Sequence, residues 1–202
     1  MAADKHIPKN RLEGFSDGFL AIIITIMVLE FKIPHGTDLG ALKPLAPVFF
    51  SYVLSFLYLA IYWNNHHHLL HTVKRVNSKI MWANVHLLFW LSLVPFVTGW
   101  LGENHRASWP AAVYGVVLLM AAVAYFILQG CIVEDHGRDS VLARTLGRNW
   151  KGKISLASYA AAVALSFIVS WLAEILYAFV ALMWLIPDPR MEKVSAAPAR
   201  PL

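Results

Sequence analysis

The carboxylate of Asp17 lies inside a run that is otherwise largely apolar. The run begins at Phe15, behind which lies Ser16, and after Asp17 it continues to Ile33, rich in isoleucine, leucine and valine and with one hydroxyl at Thr25. A charged side chain that faced lipid would cost roughly 2.5–3.5 kcal/mol at the middle of a membrane-spanning helix. Asp17 therefore needs polar partners inside the protein, or it binds a cation or relays protons.

Candidate partners for Asp17 lie in two later segments, at the helix ends on the same side of the membrane. They are Trp63, Asn64, Asn65, His66, His67, His68, His71, Asn84 and His86. In the structural interpretation, Ser16 and Asp17 anchor the first helix to its neighbours through a hydrogen-bonded network near the cytoplasmic surface. In the functional interpretation, Asp17 and a histidine form a proton relay or an ion-binding site.

The histidines also suggest a metal site, because His67 and His71 are spaced as two ligands on one helical face. Neither a carboxylate nor a cysteine completes such a site, so we expect no metal and no cofactor. The single cysteine, Cys131, excludes an intramolecular disulfide and a cysteine-rich zinc site. The sequence offers no nucleophile–base motif, so we do not expect an enzyme.

The elements that position these residues are membrane-spanning helices. The 202 residues are 58% hydrophobic and only 14% charged, which is typical of integral membrane proteins. Hydropathy predicts an all-α fold with six transmembrane helices. Their approximate bounds are Leu12–Ile33, Leu45–Thr72, Ser78–Leu101, Trp109–Val133 and the block Ile154–Ile186, which a turn near Trp171–Glu174 would divide. The sixth span, from about Leu172, is short, and a single long tilted helix is the alternative.

The distribution of basic residues predicts the orientation. With six spans, fourteen of the 17 lysines and arginines lie on one side, and only Lys32, Lys43 and Arg106 lie on the other. The positive-inside rule then places both termini in the cytoplasm. The net charge of +5 reflects this topology, so we expect no nucleic-acid partner. We predict a cytoplasmic segment at 1–10, a six-helix transmembrane domain at 11–187, and a cytoplasmic, disordered tail at 188–202.

A helical wheel of the first span separates two faces. At 100° per residue, Phe15, Ile22, Ile26 and Leu29 lie within about 60° of one another, and Thr25 lies beside them. With Ile22 at zero, Asp17 lies at about −140° and Ser16 at about +120°, on the opposite side of the helix. The carboxylate and the apolar stripe therefore face different surroundings.

The residues Arg11-x-x-x-Phe15-Ser16-Asp17 match the RxxxFSD signature of the endo-lysosomal potassium channel family, transmembrane protein 175. The segments "YWNNHHHLL", "ANVHLLFWLSLVPFVTGWLG" and "ALMWLIPDPR" resemble the second, third and last helices of that family. Its members commonly show two histidines where this chain has three, which leaves the register of individual histidines open. The resemblance covers nearly the whole chain, and its single six-helix repeat is similar to the bacterial members.

The resemblance implies a potassium-preferring cation channel that conducts passively through a pore formed by the first helices of a homotetramer. It implies that Ile22 forms the main constriction, that Thr25 is associated with selectivity, and that Ile26 and Leu29 narrow the pore further. The signature and structural-network residues that it implies are Arg11, Phe15, Ser16, Asp17, Trp63, Asn65, His66, His67 and Asn84. The expected setting is the lipid bilayer of a bacterial plasma membrane, with potassium ions as the permeant species.

The better-known potassium channels select ions with the backbone carbonyls of a TVGYG loop, and this sequence has no such loop. A pore lined by the apolar stripe would therefore control ions in a different way. A ring of four Ile22 side chains would be a narrow dry neck that blocks ions by dewetting. The alternative function is a proton-coupled carrier or a proton-conducting membrane protein that uses Asp17 and the histidines of the second helix.

Overall fold

The computed structural model describes residues 8–73, 75–137 and 150–186. In these ranges the chain forms seven α-helices, with a 3-10 segment after the first (Met27–Glu30) and another before the second (Leu39–Leu45). The helices are α1 (Lys9–Ile26), α2 (Ala46–His71), α3 (Ser78–Ser92), α4 (Val94–Glu103), α5 (Ser108–His136), α6 (Trp150–Ser166) and α7 (Ser170–Leu185). The predicted all-α class is confirmed.

Six helical segments result, because α3 and α4 follow each other as one interrupted helix. Four segments are long and apolar enough to cross a membrane, and they are Lys9–Glu30, Leu39–His71, Ser78–Glu103 and Ser108–Asp135. Helices α6 and α7 have 17 and 16 residues, fewer than the roughly 20 that a full span needs. The number of helical segments agrees with the prediction, and the last two are short.

The predicted division of the last apolar block was wrong, and the third span contains an interruption that was not predicted. The division of the last apolar block lies at Phe167–Val169, and not at Trp171–Glu174, because the hydroxyl of Ser170 donates to the carbonyl of Arg106 at 3.0 Å and fixes the start of α7 there. The third span is interrupted at Leu93, since Pro95 lacks the N–H that would continue the helix. The tail 188–202 and most of the segment 1–10 lie outside the described residues.

Helix α5 lies at the centre of the bundle and packs against α3, α4, α6 and α7. Buried tyrosines tie these helices together. The hydroxyl of Tyr58 on α2 donates to the carbonyl of Tyr177 at 2.6 Å, and the hydroxyl of Tyr177 donates to the carbonyl of Ala111 at 2.9 Å. Polar groups in an apolar interior need such partners, and interhelical hydrogen bonds in membranes contribute about 0.6–2 kcal/mol each.

The end of α7 is held by a cation from α6. The ammonium group of Lys151 is buried and donates to the carbonyls of Met183 and Ile186, at 3.3 and 2.8 Å. The indole N–H of Trp184 also donates to the hydroxyl of Ser155 at 2.8 Å. The last carbonyls of a helix have no partners within it, so these bonds fix the short α7 against α6.

Replacing Gly115 of α5 should destabilise the bundle. A Cβ at this position would overlap the hydroxyl of Tyr177 and press on Val163. We expect Gly115→Ala to lower the free energy of unfolding by about 1–3 kcal/mol, measured as a lower melting temperature in detergent. The matched control is Gly130→Ala on the same helix, where a Cβ meets nothing within 4 Å. Equal melting temperatures for the two variants would contradict this packing.

Candidate functional site

The first helix has one buried face and one open face. The buried face packs against α2 and α3 and comprises Leu12, Ser16, Leu20, Ile23 and Met27. The open face is exposed along its length and comprises Phe15, Ile22, Thr25, Ile26 and Leu29. We call Ile22, Thr25, Ile26 and Leu29 the open stripe. It lies along α1 and the 3-10 segment that follows, on the side that no other described helix covers.

The open stripe is apolar apart from one oxygen. Ile22 is 63% exposed and Leu29 is 77% exposed, so both side chains are available for contacts outside the chain. The hydroxyl of Thr25 donates its proton to the carbonyl of Ala21 at 2.8 Å. The donor is thereby used within the helix, and the oxygen keeps lone pairs that can accept a hydrogen bond or contact a cation.

The far end of the first helix tightens into a 3-10 turn at Met27–Glu30. A 3-10 turn advances about 120° per residue instead of 100°, so it rotates Glu30 toward α4. The carboxylate of Glu30 lies against Gly99, whose missing side chain leaves room for it. The sequence analysis did not foresee this turn, and Ile33 lies beyond the helix that was predicted to contain it.

An ion pair lies just past this turn. The ammonium group of Lys32 meets the carboxylate of Glu103 at 2.6 Å, and both side chains are exposed. The hydrogen bond that Lys32 donates to Glu103, and then the negative charge of Glu103, raise the pKa of Lys32. The pair joins the segment after α1 to the end of α4 on the side of the bundle opposite Asp17.

Asp17 is held by a tryptophan of α2. The indole N–H of Trp63 donates to the Asp17 carboxylate at 3.0 Å, in a partly exposed position. The ring of Trp63 stacks on His67 with a centroid distance of 6.0 Å, and His67 lies 6.2 Å from His71. Lys9 reaches the same end of α2 and donates to the carbonyl of His71 at 2.8 Å. These contacts join the start of α1 to the end of α2.

Ser16 takes part in a second, fully buried group of hydrogen bonds. The amide of Asn84 on α3 donates to the Ser16 hydroxyl at 2.9 Å, and the Ser16 hydroxyl donates to the carbonyl of Leu12 at 2.9 Å. The other end of the Asn84 amide, its oxygen, lies 2.6 Å from Nε2 of His66. Helices α1, α2 and α3 therefore meet at Asn84.

Other residues that the sequence analysis singled out lie elsewhere. The Asn65 amide donates to the carbonyl of Ile61 within its own helix, and His86 accepts from the indole of Trp90. Arg11 and Phe15 are exposed, and the Phe15 ring packs on Phe19 at 5.9 Å. The signature residues thus divide into two hydrogen-bonded groups and an exposed remainder.

This arrangement is suited to bracing the first helix. Among the described residues, Asp17 accepts a hydrogen bond from an indole N–H, which only donates, and His66 shares a hydrogen bond with the side-chain amide of Asn84. Within the same part of the chain, no three histidine, cysteine, aspartate or glutamate side chains lie close enough to hold a metal ion.

Two glycines of this region were not predicted from the sequence to lie at helix contacts. Gly99 and Gly102 are three apart on α4, and a Cβ at Gly102 would press on Val48 of α2. Small residues spaced three or four apart often mark the face where two helices approach closely. That spacing was the signal that could have located the contact between Glu30 and α4.

The sequence matches one family of membrane proteins. A profile of the family described as "Endosomal/lysosomal potassium channel TMEM175" matches residues 11–95. A potassium channel of Chryseobacterium sp. (strain P1-3) is 52% identical over 185 residues, which are 92% of this chain and 96% of the relative. A potassium channel of Streptomyces collinus is 33% identical over 203 residues, covering 94% and 98% of the two chains.

The fold has a close solved counterpart. It is the crystal structure of a lysosomal potassium-selective channel TMEM175 homologue from Chamaesiphon minutus. The two structures superpose with a TM-score of 0.76 at 28% sequence identity, over 94% of this chain and 98% of the other. The helical architecture is therefore shared over nearly the full length of both chains.

Removing the amide of Asn84 should destabilise the protein more than removing the carboxylate of Asp17. Asn84→Ala leaves the buried Ser16 and His66 without this partner, at about 1–3 kcal/mol for each unsatisfied group. Asp17→Ala frees an indole N–H that water can reach, so its cost should be smaller. Melting temperatures in detergent measure both, with the exposed Asn64→Ala as the control. A larger drop for Asp17→Ala than for Asn84→Ala would refute the assignment.

Proposed function

This chain belongs to the TMEM175 family of endosomal/lysosomal potassium channels, and from that premise we propose that it is a potassium-preferring channel that conducts passively across the membrane. The observation that carries the proposal is the open stripe of α1. A single chain leaves these side chains uncovered, and they include the two positions, Ile22 and Thr25, that the sequence analysis associates with constriction and selectivity.

Several copies of the chain are needed to make a pore. One helix cannot enclose an ion path, whereas copies of α1 around a shared axis turn their open stripes toward it. Closed cyclic symmetry is the usual arrangement for identical subunits in one plane. We propose a homotetramer, as the resemblance to bacterial family members implies. The buried face of α1 would then hold each pore helix on its own subunit.

The orientation that we propose has both termini in the cytoplasm of a bacterial cell, with the chain crossing the plasma membrane six times. The charges of the described residues support it, because the ends of the bundle differ in their basic residues. Lys9 and Arg11 lie at the Asp17 end, where Lys9 contacts the end of α2. Lys32 lies at the opposite end. An excess of lysine and arginine marks the cytoplasmic side.

Conduction would be controlled by wetting of the neck. A ring of Ile22 side chains offers no hydrogen bonds to water, so a narrow ring empties and excludes ions, and a slightly wider ring fills and conducts. Thr25 lies almost one turn further along the helix, and its oxygen is free to contact a partly dehydrated cation. Ile26 and Leu29 would continue the apolar wall toward the outer end.

A proton-coupled carrier or proton channel remains the second hypothesis. It would need a chain of groups that pass protons between Asp17 and the histidines of α2. In the described part of the chain, Oδ1 of the Asp17 carboxylate accepts from the indole N–H of Trp63, a group that cannot take up a proton, so this oxygen does not lead to the histidines of α2.

Recordings from purified protein in planar bilayers separate the two hypotheses. A channel with potassium preference should give single-channel currents that reverse at a potential set by the potassium gradient when sodium opposes it. Currents that follow only the proton gradient would favour the proton pathway. A protein that carries no current under any of these gradients would overturn the proposed function.

Changing the polarity of the neck should change the current. Ile22→Asn places amides in the ring and keeps it wet, so the open probability or the conductance should increase. Ile24→Asn, on the same helix but directed away from the stripe and partly buried, is the control and should not increase the current. Equal gains at both positions would show that α1 does not line the pore as proposed.

Removing the hydroxyl of Thr25 should lower the preference for potassium over sodium. Thr25→Val keeps the branched shape but takes away the oxygen that would contact the cation. Because the hydroxyl is exposed and bonded only within its helix, the melting temperature should change little. Reversal potentials in mixed potassium and sodium solutions test this, with Thr25→Ser as the variant that retains the oxygen and the preference.

A further inference from the structure

A row of aromatic side chains runs along α2 beside the first helix. Phe49, Phe56 and Trp63 follow each other at intervals of seven residues, and each is between 40% and 50% exposed. Two contacts place this row next to α1 and the segment that follows it. The indole of Trp63 donates to Asp17 at 3.0 Å, and the rings of Phe49 and Phe31 have centroids 6.4 Å apart. We call these three side chains of α2 the α2 row.

A second row with the same spacing runs along α3 and α4. Trp82, Phe89 and Phe96 are also seven residues apart, and each is more than half exposed. Seven residues beyond Phe96 on α4, Glu103 pairs with Lys32 from the segment that follows α1. This contact places the second row beside the first helix as well. We call Trp82, Phe89 and Phe96 the α3–α4 row.

The two rows lie on opposite flanks of the first helix. Consecutive residues of α1 contact different neighbours, because Ser16 bonds to Asn84 of α3 and Asp17 bonds to Trp63 of α2. Successive residues of a helix are 100° apart, so α2 and α3 lie on two sides of α1. The open stripe of α1 therefore has the α2 row on one side and the α3–α4 row on the other.

The two rows also match in depth, because α2 and the α3–α4 pair run in opposite directions through the bundle. The two tryptophans lie at the Asp17 end, and Phe49 and Phe96 lie at the other end. Phe56 and Phe89 lie midway. Seven residues rise about 10.5 Å along a helix, so each row presents aromatic rings at the same three depths.

The arrangement of subunits brings these flanks together, an argument that rests on the homotetramer of the proposed function. When copies of the chain turn the open stripes of α1 toward one axis, the α2 flank of each copy faces the α3–α4 flank of the next. Such a contact joins two different surfaces, and it closes into a ring when the rotation is right. The second copy is therefore the partner that the position of both rows selects.

The size of the rows is sufficient for a large share of a specific interface. Aromatic side chains have surfaces of about 150–250 Å², so six that are half exposed offer roughly 600 Å². Specific protein interfaces bury about 1,200–2,000 Å² in total, and the open stripe and the remaining flank residues can supply the rest. Inside a membrane, helices associate through close packing, which large side chains at matched depths allow.

We propose that the α2 row of each subunit packs against the α3–α4 row of a second copy of this chain. The pairs form at three depths, with the first residue from one subunit and the second from its neighbour. They are Phe49 with Phe96, Phe56 with Phe89, and Trp63 with Trp82.

Cysteine cross-linking in native membranes tests the pairing. Cys131→Ser removes the single native cysteine and provides the background. Phe56→Cys and Phe89→Cys are then combined in one chain and treated with a short bifunctional thiol reagent. We expect covalent dimers, trimers and tetramers on a denaturing gel, because each subunit carries one thiol on either flank. Each single-cysteine variant should remain monomeric on the gel.

Two further pairs control for depth. Phe49→Cys with Phe96→Cys lies at another depth and should give the same ladder of products. Phe49→Cys with Trp82→Cys uses the same two rows, but the thiols lie at opposite ends, about 21 Å apart along the helices, and should give no ladder. Equal cross-linking of the matched and mismatched pairs would overturn the proposed register.

Native mass spectrometry of the same variants separates failure of this interface from failure of the proposed function. A tetramer that gives no cross-links at either matched pair would mean that lipid covers the rows, which overturns the interface and leaves the channel standing. A dimer formed by the Phe56→Cys variant alone would show two α2 rows facing each other and would also overturn it. A protein that is only monomeric would remove the homotetramer and this interface together.

Discussion

The hydrogen bonds of Asn84 are the interaction on which the position of the first helix depends. Asn84 and Ser16 are fully buried and His66 nearly so, and each side chain finds its partner on a different helix. Water and lipid offer no substitute at such a site, so a rotation of α1 would leave several polar groups unsatisfied. The rotation of α1 is therefore fixed, and the open stripe is directed away from the rest of the chain.

The same requirement holds the supporting frame together. Tyr58, Tyr114 and Tyr177 are fully buried, and their hydroxyls connect α2, α5 and α7. Each is a large side chain with one polar atom, so it fills the space between helices and adds a directional bond. The frame gives α1 a defined surface to pack on, and Lys151 secures the short α7 at its edge.

Large apolar side chains are exposed on several helices of the described chain, and two of these surfaces differ in character. The open stripe of α1 has one hydroxyl, at Thr25, whose donor is bonded within the helix. The groove between α2 and α7 is lined by apolar side chains together with Glu174 and His105. The open stripe suits the proposed contact of several copies of α1 around a shared axis.

The sequence by itself determined the helical class, the approximate positions of the spans and the family. Long apolar runs have few alternatives in a membrane, because every backbone polar group must be bonded within its segment. The helical periodicity also placed Ile22 and Thr25 on a different side of α1 from Ser16, since that placement depends only on the angle of 100° per residue.

Only the tertiary structure decided how the polar residues are paired. The sequence predicted that Asp17, Ser16 and the histidines lie at the same depth in the membrane. It did not predict that Trp63 pairs with Asp17, or that Asn84 pairs with Ser16 and His66. Those pairs depend on how the three helices pack. The 3-10 turn at Met27–Glu30 and the start of α7 at Ser170 also involve contacts between segments distant in the chain, whereas the break at Leu93 follows from the nearby Pro95. Local sequence fixes which helices form, and packing fixes where they end and which side chains meet.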